Sequence, residues 1–390
     1  MTEATNPTRA SDTGNRKPWR FVVGHRSYAD FSISVSPAIE CAVAERAVPP
    51  TVYLNVFDSD SITIGVNEDP NQVLDVACCR RHGVTALRRM NGGGAIYAGR
   101  GSAFLALYLP LDERNVPPTA ADAFPVVLGH VADSLREQFG LATAYRPLND
   151  VEIDGRKLVA TSVKIEDGVL TFRILLNVKE IDTEMAARAL PMPPEKVHDK
   201  KHKDLSSCYT FLERELGRAV SHEELVQWAH DVTRRAFGDV DLVAGTTNGI
   251  ENVLAKEYAG QLASEAWFNG KSEATRYAPL MRKGDRIGRG REKAPAGMIW
   301  LSLLVRDNTI VRAIVNGDWH PRPIRSVEWL EEGFAGLPAE RDACEQHINA
   351  FLARSDVEFA GMESIHLTNA LACALASIAD RVDGLEYHDE

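Results

Sequence analysis

The sequence predicts an α+β fold, with mixed sheets flanked by helices and a smaller α+β domain behind the first. Three observations carry that expectation. At 390 residues and 42.9 kDa the chain exceeds one typical domain, so two are expected. From Trp19 onward, runs with strand alternation interleave with runs at helical spacing. Beyond residue 262 the composition turns basic, and a second set of alternating segments begins. The expected organisation is a flexible tail over residues 1–18, a large domain over 19–242, a connector with a short helix over 243–262 and an accessory domain over 263–390.

Each element has a local reason. Residues 51–57 alternate apolar and polar side chains, and 61–66 follow an Asp-Ser-Asp turn, so the pair reads as a hairpin. A helix is expected near 71–82, closed by Gly83. Strands at 84–89 and 103–109 flank a glycine run and read as a second hairpin. Val127, Val131 and Leu135 mark the apolar stripe of a helix over 119–139 that Gly140 stops. Asp154-Gly155 is turn chemistry, with strands at 151–153 and 170–178. Ser221 with Glu224 three residues on is a capping-box signature before Leu225, Ala229 and Val232. In the accessory region, 298–305 and 309–315 alternate around Asp307-Asn308, and helices follow from Arg325 and Ala339 and over 368–382.

Composition narrows the function. With 44 basic and 55 acidic residues the net charge is −11, which disfavours nucleic-acid binding. No stretch approaches the roughly 18 consecutive apolar residues of a membrane span. The six cysteines lack the paired spacing of a zinc or disulfide framework, and a reducing, cytoplasmic location is expected.

Two segments could carry chemistry. Arg88-Arg89-Met90-Asn91 runs into Gly92-Gly93-Gly94-Ala95-Ile96-Tyr97. Consecutive glycines let backbone amides approach an anion, and the two arginines supply charge to phosphate oxygens. A flexible hairpin tip with solvated arginines is the competing reading. The second segment runs from Asn149-Asp150 through Gly155-Arg156-Lys157 to Ser162. It sets a lysine past a tight turn at the start of an apolar strand, where partial desolvation suits it to stabilise an oxyanion. A solvated corner is its competing reading.

Together these segments resemble the lipoate-protein ligase A family of the biotin/lipoate protein ligase superfamily. Residues 82–97 are similar to its Arg-Arg-x-Ser-Gly-Gly-Gly-Ala-Val-Tyr signature, and Asn149-Asp150 with Gly155-Arg156-Lys157-Leu158 to its Asn-Asp…Gly-Arg-Lys-Ile element. Trp267-Phe268-Asn269-Gly270-Lys271 and the strands of 298–317 resemble its accessory domain. The resemblance implies an ATP-dependent ligase. Lipoate is activated with MgATP as lipoyl-AMP, and the acyl group passes to a lysine of a lipoyl domain, in a 2-oxoacid dehydrogenase complex or the glycine-cleavage H protein. It implies Lys157 as the catalytic residue, and Arg89, Gly92, Gly93, Gly94, Ala95, Ile96, Tyr97, Asn149, Asp150 and Lys157 around ATP and the adenylate. Mg2+ enters with ATP, and no metal site of the protein's own is implied.

The chain departs from the family where Ala98–Ser102, Val159–Ser162 and Thr171–Leu175 replace its usual motifs, positions that shape the acyl tunnel. Lys196, Lys200, Lys201 and Lys203, interleaved with His198 and His202, form a basic stretch where the family carries its adenylate-binding loop. Cys208 supports a rival reading, an ATP-independent octanoyl or lipoyl transferase working through a cysteine thioester. A non-catalytic binding paralogue is the third. The basic run 276–293 is expected either to dock an acidic acceptor domain or to be a solvated loop. Cys78 and Cys79 read as packing residues.

Overall fold

The computed structural model describes residues 18–147, 149–191 and 208–378. The basic stretch 196–203 lies outside them. An eight-stranded mixed sheet organises the larger domain. Its strands are β1 (Trp19–Gly24), β2 (Thr51–Val56), β6 (Ala103–Pro110), β7 (Ala144–Arg146), β8 (Asp150–Ile153), β9 (Arg156–Glu166), β10 (Val169–Leu176) and β11 (Leu242–Gly245), in the order β11-β1-β2-β6-β10-β9-β8-β7. β3 (Ser61–Ile64), β4 (Thr85–Arg88) and β5 (Ile96–Ala98) make a second, three-stranded sheet.

The large sheet buries both faces. Helices Ala120–Phe139 and His222–Phe237 cover one through Val127, Val131, Leu135, Leu225, Trp228 and Val232. The expected stop and capping box both form: Gly140 is left-handed, and Ser221 and Glu224 close a reciprocal box, while Thr119 also caps its helix by accepting from the Asp122 amide. The other face takes the helices Tyr28–Ile33 and Val35–Ala44 over Tyr53, Phe104, Ala106 and Tyr108. Cys78 and Cys79 pack in the core beneath the small sheet.

Four expectations change. β2 and β3 are not a hairpin, because the turn between them carries the chain from one sheet into the other. β4 and β6 are not one either: β4 pairs in parallel with β3, and the unanticipated β5 intervenes. The 243–262 segment carries more than its expected short helix. β11 pairs with β1, and Gly249–Leu262 packs on the two helices of 28–44, with buried Glu251 bound to Arg20 at 2.5 Å. The helix expected at 71–82 is two, Pro70–Val73 and Val76–His82.

The accessory domain is an antiparallel sheet of β12 (Arg286–Ala294), β13 (Gly297–Arg306) and β14 (Thr309–Gly317), with the short pair β15 (Pro321–Arg322) and β16 (Glu358–Phe359). Helices Ser326–Gly333, Arg341–Leu352 and Ser364–Ser377 complete its core. Asp307 and Asn308 both have positive φ (48° and 60°), as the expected two-residue turn requires. The basic run spans the end of the helix Glu273–Tyr277, the turn after it and β12; Arg276 pairs with Glu331 and Arg289 with Glu273.

Candidate active site

The β8–β9 hairpin sets the lysine. Asp154 (φ 51°) and Gly155 (φ 77°) form the tight turn, and a register shift between Val151 and Glu152 bends the ladder just beside it. The bend aligns Lys157 with Asp150, Nζ to Oδ1 at 2.8 Å. Its neighbours brace the pair. Arg146 binds Glu152 at 2.8 Å and lies 3.9 Å from Asp150. The Thr161 hydroxyl donates to the Asn149 carbonyl at 2.7 Å, and the Asn149 amide donates to the Thr161 carbonyl at 3.2 Å. On the other side Tyr209 bridges to Lys157, and the Thr210 amide donates to the Lys157 carbonyl at 2.9 Å.

The Lys157 side chain is 22% exposed. Burial alone would lower its pKa, but the Asp150 carboxylate, with Tyr209, outweighs burial and holds it above the ordinary lysine value. A lysine so held stays an ammonium. It can stabilise a developing oxyanion or a phosphate but cannot serve as a nucleophile.

The glycine turn is built differently. The expectation that both arginines face phosphate is corrected for Arg88. Its guanidinium is buried and donates to the carbonyls of Gly65, Val66, Glu68, Trp267 and Phe268 at 2.7–3.1 Å. The Trp267 indole donates back to the Arg88 carbonyl at 2.9 Å. Burial lowers the Arg88 pKa to about 10, and the residue is a splice between domains. Arg89 turns onto its own loop, donating to the Gly92 and Gly94 carbonyls at 2.7 and 3.0 Å and to Thr63. Its Nε has no partner among the described residues. Ala95 and Ile96 lead half-buried into β5, where the Tyr97 hydroxyl donates to Asp60 at 2.8 Å.

The accessory domain forms part of this turn, which sequence reasoning missed. The Gly93 amide donates to the Trp319 carbonyl at 3.1 Å, and the Gly317 amide to the Asn67 carbonyl at 3.0 Å. A Cβ on Gly92 would stand 2.5 Å from the Trp319 oxygen, so only glycine fits. His320 joins the turn to the sheet: its ring lies against Gly93 and reaches the Val163 backbone of β9. Burial, with Arg89 nearby, pulls its pKa down to about 4, so it is neutral at physiological pH. No local sequence signal marks 317–320 as part of the site.

Among the described residues no three or more His, Cys, Asp or Glu side chains gather to hold a metal ion. A magnesium ion here would be held chiefly by substrate phosphates and water, as that ion commonly is. Nor is any described helix long and apolar enough to cross a membrane.

The Lys157–Asp150 pair thus lies on a hairpin of the eight-stranded sheet, and the glycine turn leads into β5 of the three-stranded one. Residues 36–231 match the family described as the lipoyl protein ligase A/B catalytic domain, and the chain belongs to it. Among curated relatives, octanoyltransferase LipM of Kyrpidia tusciae is 21% identical over 64% of this chain and 97% of its own length. Lipoate-protein ligase LplJ of Bacillus subtilis is 24% identical over 48% of this chain and 56% of its own. Among solved structures, P. falciparum LipL1 in complex with lipoate superposes with a TM-score of 0.65 at 15% identity, covering 87% of this chain and 95% of that one. Lipoate-protein ligase A bound with ATP gives 0.54 at 18% identity over 65% and 99%. At these identities the structural likeness establishes the fold.

Proposed function

We propose that this protein is an ATP-dependent acyl ligase of the lipoate type, joining a carboxylic acid to a lysine of an acceptor lipoyl domain in the cytoplasm. The observation that carries the reading is the Lys157–Asp150 pair at 2.8 Å on the bent hairpin, a fixed positive charge at the edge of a buried sheet face. The carboxylate of the acid attacks the α-phosphorus of ATP, pyrophosphate leaves, and an acyl-AMP anhydride results. The acceptor amine then attacks the acyl carbonyl and AMP departs. The Lys157 ammonium faces charge that grows on the phosphoryl oxygens in the first step and on the carbonyl oxygen in the second. The glycine turn, with Arg89, Ala95, Ile96 and Tyr97, would bound the nucleotide, and Asn149 and Asp150 would hold the lysine. Magnesium would neutralise the ATP phosphates.

One observation favours a second reading. Cys208 immediately precedes Tyr209, the residue that bridges to Lys157. A thiol there fits an ATP-independent transferase, in which the acyl group rests on sulfur before reaching the acceptor amine, and one of the named curated relatives is an octanoyltransferase. Incubating the protein with MgATP and an acid panel, followed by mass spectrometry, separates the two. Acyl-AMP supports the ligase; an acyl adduct on Cys208, formed without ATP from an acyl-carrier donor, supports the transferase.

A further inference from the structure

The face of β9 that carries Lys157 continues inward as three rungs. Asp150 sits opposite Ala160, and Lys157 reaches it, so its ammonium stands near the level of Ala160. Side chains then alternate along the strand: Ala160 beside Leu175, Ser162 beside Arg173, and Lys164 beside Thr171. The first rung is apolar. The next two are not. Arg173, 4% exposed, donates through Nη2 to Ser36 Oγ at 2.8 Å and lies 3.4 Å from Glu40. Lys164 pairs with Glu40 and with Glu166 at 2.9 Å. Arg173 Nη1 has no partner among the described residues.

Rungs two residues apart are separated by roughly 7 Å. An acyl carbonyl held at the Lys157 ammonium, with its chain running along β9, therefore brings its sixth to eighth carbon beside Arg173. There an alkyl end or a dithiolane would lie against a buried guanidinium with an open donor and leave it unsatisfied. We propose that Arg173 sets substrate choice, and that this chain takes a carboxylic acid carrying a hydrogen-bond acceptor six to eight atoms from its carboxyl. A terminal hydroxyl or second carboxylate meets that description. The proposal rests on the acyl-activation reading for the position of the carboxyl, and it departs from a purely apolar acyl substrate.

Calorimetric binding to the full chain tests it without requiring turnover, with heptanoate, octanoate and lipoate compared against 7-hydroxyheptanoate and heptanedioate. The polar-ended acids should bind at least tenfold more tightly than heptanoate. Arg173→Met should remove that margin and raise heptanoate affinity. Arg173→Lys, which keeps a charge for Glu40 but loses the forked donor, should fold and also lose it, with circular dichroism confirming the fold. Equal or tighter binding of the plain acids, no binding of any acid, or an unchanged preference in both folded variants overturns the proposal. Acyl-AMP formation is read in parallel. Polar-ended acids that bind yet form neither acyl-AMP nor thioester leave the specificity intact and refute the ligase and transferase readings.

Discussion

The hairpin at Lys157 and the turn at Gly92–Gly94 are both short, glycine-bearing segments, yet they are held in opposite ways. Asp150 and Lys157 lie seven positions apart in one hairpin, and the bend that joins them is local. The glycine turn depends on residues more than 170 positions away: Arg88 on Trp267 and Phe268, Gly93 on Trp319. The hairpin can be changed at its charge without disturbing the core. The turn cannot be changed without loosening the accessory domain.

Variants that break this contrast follow in order of expected effect. Lys157→Ala removes a charge from a strand end that is partly exposed. Acyl transfer to an acceptor domain should fall by about 100-fold or more, while stability measured by denaturant stays within about 1 kcal/mol. Arg88→Met strands five buried carbonyls, and unfolding should cost about 3–5 kcal/mol less, with limited proteolysis beginning between the domains. Gly92→Ala forces a methyl onto the Trp319 oxygen, and a loss of about 1–3 kcal/mol is expected from overpacking. A Gly92→Ala protein as stable as the parent would contradict the tight domain contact.

The smallest effect is one of pH. His320 has its folded pKa lowered from 6.5 to about 4. The unfolded chain therefore takes up a proton first as the solution is acidified. The stability from burying the neutral ring is fully present above pH 6.5 and is lost progressively as pH falls toward 4. His320→Gln should flatten the denaturant-stability curve across that window by roughly one proton's slope. An unchanged slope would place the ring in water.

What the sequence revealed follows the same division. The Gly140 stop of Ala120–Phe139, the Ser221–Glu224 box and the turns at Asp154-Gly155 and Asp307-Asn308 rest on near neighbours, and all were legible. Which sheet a strand joins was not. Alternation in β2, β3 and β4 declares a half-buried strand but says nothing of its partner, so two expected hairpins dissolved into two sheets. The site divides likewise. Asn149, Asp150 and Lys157 were readable as one unit because turn chemistry brings them together. The engagement of Arg88 by Trp267 and Phe268, and the arrival of Trp319 and His320 at Gly93, are tertiary events that residue spacing does not encode. Arg173 was visible only as a departure from a familiar motif, because its burial with Glu40 and Lys164 depends on a helix more than a hundred residues earlier.

In the proposed ligase reaction the Lys157 ammonium stabilises an acyl-adenylate made from ATP. Exchange of labelled pyrophosphate into ATP, driven by an acid that the protein binds, tests it most directly. Exchange is expected in the parent and in Cys208→Ala, and none in Lys157→Ala. Exchange that persists in Lys157→Ala would contradict it, as would no exchange in the parent together with acyl transfer that disappears in Cys208→Ala.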